Sequence, residues 1–457
     1  MRILITVGIF AVLALSPVMG TKAKSPASES TPALALKPPL GWNSYDCFGM
    51  LAGEQDIKVN ADYMAAHLKK FGWEYVILDY LWYAEGLTAQ NVREKNPVQN
   101  IDEYGRLIPS AALHPSSEGG KGFKPLADYV HGLGLKFGIH IMRGIPIQAV
   151  ERNTQILGSK ARAREVADPN DGCSWYLGLS GVNVSKPGGQ EYYDSIVRLY
   201  AEWGIDYIKA DDMSYPYHAA EIAALGRAIR TCGRPMVLSL SPGPAPLDRV
   251  AHLRTWANMW RISGDFWDEW PKVLEQFGLC RAWAPSIAPG HWPDADMLPL
   301  GKLSVRTDLK DQSPRWSRLT RDEQLTVMTL WAIVRSPLMF GGNLPSNDDF
   351  TLSLLTNPAV LEVDQNSAHN RELFSKGGLT AWAADVPGSK DKYLALFNTT
   401  DKGPCAVTVT EAELGFKGKF LIRDLWAGTE LGAFEGSFSA SLRPHGAGLF
   451  RVEARSR

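Results

Sequence analysis

From Leu40 onward, short apolar runs alternate with stretches whose apolar residues recur at helical spacing. The runs are LGWNSY at 40–45, YVILDY at 75–80, KFGIHIM at 136–142, YIKADD at 207–212, MVLSLS at 236–241, MWRISG at 259–264, an extended stretch at 286–291 and PLMFGG at 337–342. Between them, Ile57–Phe71, Lys124–Leu133, Glu191–Trp203, Ala219–Thr231, Trp270–Gly278 and Arg321–Arg335 are predicted helices. In Glu191–Trp203, for example, Tyr192, Ile196, Leu199 and Tyr200 fall on one side. Eight strands, most followed by a helix, predict an α/β fold, a (β/α)8 TIM barrel. The unbroken apolar character of YVIL and MVLSL suits parallel strands covered on both faces. A doubly wound open sheet is the alternative, but no GxGxxG follows the first strand. Residues 152–185 are rich in Gly, Asp and Ser with weak periodicity, and are expected to form a long loop over one barrel end.

After about residue 370 the texture changes. LTAWAAD, KYLALFN, CAVTVT, FLIRDLW and GLFRVE are short alternating runs divided by Gly, Pro and Asp, the pattern of an antiparallel β-sandwich. The expected organisation is therefore a signal peptide at 1–20, a flexible linker at 21–37, the barrel at 38–368 and a C-terminal sandwich at 369–457. The leader rests on Arg2, the apolar run Ile3–Leu15 and the small-residue exit ending at Gly20. That run is short for a membrane span, and no cysteine near the exit suggests a lipid anchor. The expected location is exported, periplasmic or secreted, with no membrane anchor.

Composition narrows the function classes. The 48 Lys+Arg nearly balance the 49 Asp+Glu, a formal net charge of −1, which gives no electrostatic footprint for nucleic acid. Cys47, Cys173, Cys232, Cys280 and Cys405 are scattered, with no metal-ligand spacing. One or two disulfides would suit an exported chain, leaving at least one thiol unpaired. The 15 Trp lean toward carbohydrate, because sugar clefts stack pyranose faces on aromatic rings; a large barrel also packs many aromatics in its core. Oligomeric state has no signature in the sequence.

Barrel enzymes carry their catalytic groups at the C-terminal ends of the strands. Carboxylates gather there: Asp46, Asp79, Asp211 with Asp212, Asp265, and Asp294 with Asp296. Burying so many charges is costly unless they are paired or used. Two carboxylates at strands four and six suit glycoside hydrolysis, one attacking the anomeric carbon and the other protonating the leaving oxygen. Lys209 shares the inward face with Asp211 by the two-residue period, and Arg261 stands four residues before Asp265. Trp42, Trp82 and Trp292 offer stacking surfaces, and His140 a rim position. Asp212 and Asp268 compete with Asp211 and Asp265. Two other classes stay open on pattern alone: a metal-dependent, enolase-like barrel and a non-catalytic carbohydrate-binding barrel.

The strings PPLGWNSY, YVILDYLWY, GRLIPS with HPSS, GKGFKPLADYVHGLGLKFGIH, GIDYIKADD, WRISGD and HWPDADMLPLG resemble, in order, the melibiase-type α-galactosidases of glycoside hydrolase family 27. The resemblance spans about residues 38–345. It implies retaining, exo-acting removal of terminal α-D-galactosyl residues, with Asp211 as nucleophile and Asp265 as acid/base. It also implies sugar contacts at Trp42, Asp79, Lys209 and Arg261, and no metal or cofactor. Asp296 and Trp292 fall in its HWPDADM string.

The departures concern the sugar. Typical members carry two consecutive acids at strand two, where this chain has Asp79–Tyr80. The third strand ends HIMRGIP, which places Arg143 near the rim, and the fifth ends SLSPGPAP, which places Ser241 near the 2-substituent. The cysteines that flank this site in typical members are absent. These variants resemble a branch that also acts on β-L-arabinopyranosides, which differ from α-D-galactosides only in lacking the 6-CH₂OH. A bulky Tyr80 is expected to tolerate or favour that pentose.

Overall fold

The computed structural model describes residues 34–86, 98–306, 313–415 and 418–454; the expected signal peptide and most of the expected linker lie outside them. Eight parallel strands build the first domain: β1 (Leu40–Asn43), β2 (Tyr75–Leu78), β3 (Lys136–Met142), β4 (Tyr207–Asp211), β5 (Val237–Leu240), β6 (Met259–Arg261), β7 (Trp292–Asp294) and β8 (Leu338–Phe340). They are hydrogen-bonded in the order β7-β6-β5-β4-β3-β2-β1-β8. The edges β7 and β8 meet through a parallel bridge between Leu298 and Phe340, with Leu298 N–H donating to the Met339 carbonyl at 2.7 Å. The sheet thus curls into a (β/α)8 barrel.

Side-chain alternation divides the barrel interior into layers. Tyr75 and Ile77, Tyr207, Val237, Met259, Trp292 and Met339 pack together as an apolar plug. Gly41 leaves room for it, since a Cβ there would stand 2.7 Å from the Tyr75 carbonyl and 2.8 Å from its Cβ. One rung further along the same strands, Asp79, Lys209, Ser239 and Arg261 replace the apolar residues. A polar layer therefore sits on an apolar one because these four strands change character once along their inward positions.

Helices α1 (Glu54–Tyr63), α2 (Lys124–Gly132), α3 (Gly189–Trp203), α4 (Ala219–Thr231), α5 (Val250–Trp256), α6 (Trp270–Trp283) and α7 (Arg321–Val334) accompany the strands. Three differences from the sequence expectation have local causes. The first helix changes to a wider turn at Met64–Leu68 and a tight one at Lys69–Phe71, ending on Gly72 at φ +95°. Helix α6 runs through Gly278 to Trp283, since an interior glycine costs only about 1 kcal/mol. The seventh strand is Trp292–Asp294 rather than 286–291; Ala284–Ser286 is a single 3-10 turn and Ala288–His291 a bridge. The expected loop at 152–185 contains strands Ala167–Asp168 and Leu179–Val182, which join Ile145–Pro146 in a small antiparallel sheet.

The C-terminal strands are β9 (Ala368–Lys376), β10 (Leu379–Asp385), β11 (Lys392–Asn398), β12 (Cys405–Thr410), β13 (Phe420–Asp424), β14 (Glu430–Phe434), β15 (Ser437–Leu442) and β16 (Ala447–Ala454). They form a six-stranded sheet, β9-β10-β11-β16-β13-β14, and a pair, β12-β15. The six-stranded sheet is apolar on both faces. Ala381, Ala383, Leu394 and Leu396 pack against Val407 and Val409 of β12, while Trp382, Ala384, Tyr393, Ala395 and Phe397 join the core shared with the barrel helices. Helix α7 lies in that shared core and is buried from Glu323 to Val334 apart from Leu325. Trp426 Nε1 donates to Thr329 Oγ1 at 2.9 Å, Thr326 Oγ1 donates to the His445 carbonyl, and Trp270 stacks on His445 at 3.9 Å.

All five cysteines are free thiols, without the one or two disulfides that would suit an exported chain; Cys47, Cys173 and Cys280 are buried. No helix among the described residues is long and apolar enough to cross a membrane.

Candidate active site

A cavity of 540 Å³ opens at the C-terminal ends of the barrel strands, lined by Asp79, Tyr80, His140, Lys209, Asp211, Ser241, Arg261, Asp265 and Asp296 among the residues marked in the sequence. Its floor is a network of charges. Lys209 Nζ lies 2.8 Å from Asp79 Oδ2, which also accepts from Asn43 Nδ2 at 2.6 Å. Asp79 Oδ1 accepts the Tyr80 N–H at 2.9 Å. Burial alone would raise the pKa of Asp79; the charges of Lys209 and His140 and the hydrogen bonds outweigh it and hold the carboxyl below the usual range. Lys209 moves the other way: burial opposes its charge, but Asp79, Asp296 and Asp211 stabilise it and raise its pKa.

Asp211 ends β4 on the inward face. Ser241 Oγ donates to Asp211 Oδ1 at 2.9 Å and the Asp212 N–H does so at 3.0 Å, while His140 Nε2 stands 3.4 Å from Oδ2. Burial works against ionisation here too, yet His140, Lys209 and Ser241 together keep the pKa below its ordinary value. Asp211 is thus a preformed carboxylate with Oδ2 the less encumbered oxygen.

Asp265 is different. It follows β6 at the mouth, its side chain 74% exposed, with Arg261 3.3 Å from Oδ1. Arg261 itself is buried and holds Asp296 Oδ2 at 2.6 Å. Asp296 adopts φ +84°, a left-handed conformation that Asp tolerates better than most residues. In that conformation it accepts the Phe266 and Met297 N–H groups at 2.8 and 2.7 Å. The competing acids have other partners. Asp268 is buried and bound by Arg315 and by the Arg318 N–H; Asp212 faces Arg143 at 2.9 Å.

Four further marked residues, Trp42, Trp292, Arg143 and Trp82, lie elsewhere. Trp42 is on the outward parity of β1, fully buried, donating Nε1 to the Gly342 carbonyl at 2.8 Å; Tyr45, three residues on, reaches the cavity instead. Trp292 points inward but one rung too deep, in the apolar plug, with Nε1 on the Ala35 carbonyl. Arg143 is buried behind the wall, where it pairs with Glu221 at 2.7 Å, Asp212 at 2.9 Å and Asp171 at 3.2 Å. Trp82 is buried as well, donating to the His140 carbonyl. The loop residues Ser174, Trp175, Phe266 and Trp267 and the floor residues Tyr45 and Met297 line the cavity without having been singled out. No strand parity marks a loop side chain, so little in the sequence could have found them.

Asp46 also lines the floor, 6% exposed. Its Oδ2 has no hydrogen-bond partner. Burial, reinforced by the charge of Asp296 and opposed by Lys209, raises its pKa well above the ordinary carboxyl value. A raised folded-state pKa favours the native state below the unfolded value of about 3.9 and costs stability as pH rises through the folded value. Asp46→Asn is therefore expected to raise the free energy of unfolding at pH 7 by on the order of 1 kcal/mol, read as a higher urea midpoint, with the gain vanishing near pH 3. A variant weaker than the parent at pH 7 and equal to it at pH 3 would mean that the fold uses the ionised form.

Among the described residues, Asp171, His218 and Glu221 have metal-ligand chemistry within 4.8 Å of one another. They lie behind the wall, and the Arg143 guanidinium already occupies both carboxylates, supplying the positive charge that a cation would bring. In the cavity, Lys209 and Arg261 are interleaved between the carboxylates in the same way.

A parallel barrel with a charge-paired polar floor and carboxylates at its strand exits suits glycoside hydrolysis. A family model described as alpha galactosidase A matches residues 177–366, and one described as the alpha galactosidase C-terminal beta sandwich domain matches residues 376–452. The chain belongs to glycoside hydrolase family 27 and is a glycoside hydrolase of the α-galactosidase type. It is 47% identical to a family 27 β-L-arabinopyranosidase from Geobacillus stearothermophilus, with a TM-score of 0.89 over 92% of this chain and 97% of that one. An Asp-to-Ala variant of that enzyme, solved in complex with arabinose, superposes with a TM-score of 0.90 at 46% identity over 92% of this chain and 98% of that one. An α-galactosidase from Cyamopsis tetragonoloba is 26% identical over 93% of this chain and 88% of its own length.

Proposed function

We propose that the enzyme removes terminal α-D-galactosyl residues from oligo- or polysaccharides with retention, Asp211 serving as nucleophile and Asp265 as acid/base. The observation that carries this is the asymmetry of the pair: one carboxylate at the floor held ionised by Ser241, His140 and Lys209, the other at the mouth where a leaving group departs. Asp211 Oδ2 attacks the anomeric carbon as the glycosidic C–O bond breaks and the Asp265 proton passes to the departing oxygen. Asp265, now a carboxylate, takes a proton from water as the water oxygen displaces Asp211 from the same carbon. Asp79, Lys209, Arg261 and Asp296 are positioned to hold the sugar hydroxyls. The N-terminal charge and apolar pattern supports export.

A second reading is favoured by a specific observation. Tyr80 stands in the cavity where the typical family pattern has a second acid, and its ring packs edge-on against His140 and Tyr176 at 5.5 and 5.7 Å. Burial foremost, then Tyr176, raises its pKa and keeps it a neutral phenol. A phenol wedged there offers no carboxylate to a 6-hydroxyl and takes up space beside it, which suits a β-L-arabinopyranosyl residue. Hydrolysis of p-nitrophenyl α-D-galactopyranoside and p-nitrophenyl β-L-arabinopyranoside decides between the two sugars, and activity on neither would remove the substrate reading altogether. Tyr80→Asp is expected to move the ratio of kcat/KM toward the galactoside by roughly tenfold, the worth of a hydrogen bond to a charged group. An unchanged ratio would relieve Tyr80 of any role in sugar choice.

A further inference from the structure

The cavity has two chemically distinct halves. Its floor is polar: Asp79, Lys209, Arg261 and Asp296. Its mouth carries two indoles, Trp175 and Trp267. Trp175 is 43% exposed, yet its neighbours are fixed. Cys173 and Tyr176 are buried, the Tyr176 hydroxyl accepts from Gln99 Nε2 at 2.7 Å, and Arg143 holds the Asp171 carbonyl at 3.1 Å. Trp267 is half-buried two residues past Asp265. Phe266 is pinned on one side by Asp296 and by Trp331, whose ring lies 4.8 Å away, and Asp268 on the other by Arg315 and the Arg318 N–H. Both indoles are thus presented to the cavity by anchored backbone.

We propose that Trp175 and Trp267 form the leaving-group subsite, and that the enzyme is built for glycosides whose aglycone offers an apolar ring face, in the first place a second pyranose ring. This rests on Asp265 as the acid/base: the oxygen it protonates belongs to the leaving group, so the aglycone lies at the mouth beside Asp265, away from the polar floor. Trp42, Trp82 and Trp292 are sealed in the core and cannot serve. An aglycone ring resting on an indole gains contact in the glycosylation step only. Once the covalent intermediate has formed and the aglycone has left, neither indole has anything to hold.

The test is a comparison of leaving groups. Trp175→Ala and Trp267→Ala are each measured with a disaccharide, with the p-nitrophenyl glycoside and with the corresponding glycosyl fluoride, whose leaving group has no ring. With the disaccharide and the aryl glycoside, kcat/KM is expected to fall by up to about tenfold, the scale of an aromatic contact, and with the fluoride to stay within about twofold. Trp175→Phe, which keeps a ring, should recover most of the loss. Equal losses on all three substrates would make the indoles structural, and no loss on any would leave the mouth without a subsite; either outcome overturns the proposal. A parent enzyme inactive even on the fluoride would instead remove the glycosidase mechanism on which the subsite depends.

Discussion

Asp211→Gly should reduce kcat by at least ~10⁴-fold on every substrate, the scale seen when a nucleophile is deleted from a site whose other members remain. The loss should be independent of leaving-group quality, because no covalent intermediate can form whichever bond is to break. The two nearest acids are engaged elsewhere: Asp212 faces outward onto Arg143, and Asp79 is bound by Lys209, Asn43 and the Tyr80 N–H. Azide added to the variant should enter the vacated space and return the glycosyl azide of inverted configuration. Retained product, or full activity, would remove Asp211 from the reaction. In the unaltered enzyme, the acid limb of kcat/KM should fall below the ordinary aspartate value of about 3.9, because Asp211 is held ionised below its usual pKa. Ser241→Ala, which deletes one of the groups holding it so, should move that limb upward.

The second large effect belongs to Asp265. Asp265→Ala should lower kcat/KM by roughly 10²–10⁴-fold on substrates with poor leaving groups, the range of general acid catalysis. A dinitrophenyl glycoside should lose far less, because its oxygen departs without a proton. Azide should here give the glycosyl azide of retained configuration, since Asp211 still forms the intermediate and only the activation of water is lost. The exposure of Asp265 makes this variant structurally mild: its close charged partner among the described residues, Arg261, is also paired with Asp296. Thermal unfolding should therefore match the parent within a degree or two. A loss equal across leaving groups would mean that Asp265 does not deliver the proton.

The strand exits were legible because period two is a strong constraint once a strand end is known. Asp211 and Lys209, Asp79 and Arg261 all obey it. The same rule explains why Trp42 fails, since it lies one residue from the inward Asn43. Trp292 has the correct parity but not the correct height; depth along a strand depends on register, and the seventh strand begins later than its hydrophobicity suggests. Arg143 looks from sequence like any rim cation, and only the fold brings Asp171, Asp212 and Glu221 around it from three separate segments. Asp46 appeared among the rim acids, but its lack of a partner is a property of three-dimensional packing. The mouth tryptophans were invisible for a different reason: they sit on loops, where no periodicity assigns a direction.

Helix α7 connects the C-terminal β-domain to the cavity. Trp331 on this helix donates Nε1 to the carbonyl of Asp296, a residue of the cavity, while Thr326 and Thr329 on the same helix bond the C-terminal β-domain. Removing a tail that shares a core with the barrel would expose the buried face of that helix, unlike the removal of a tethered binding module. A substitution in the seam is thus two steps from the pocket, through Trp331 and the Asp296 carbonyl.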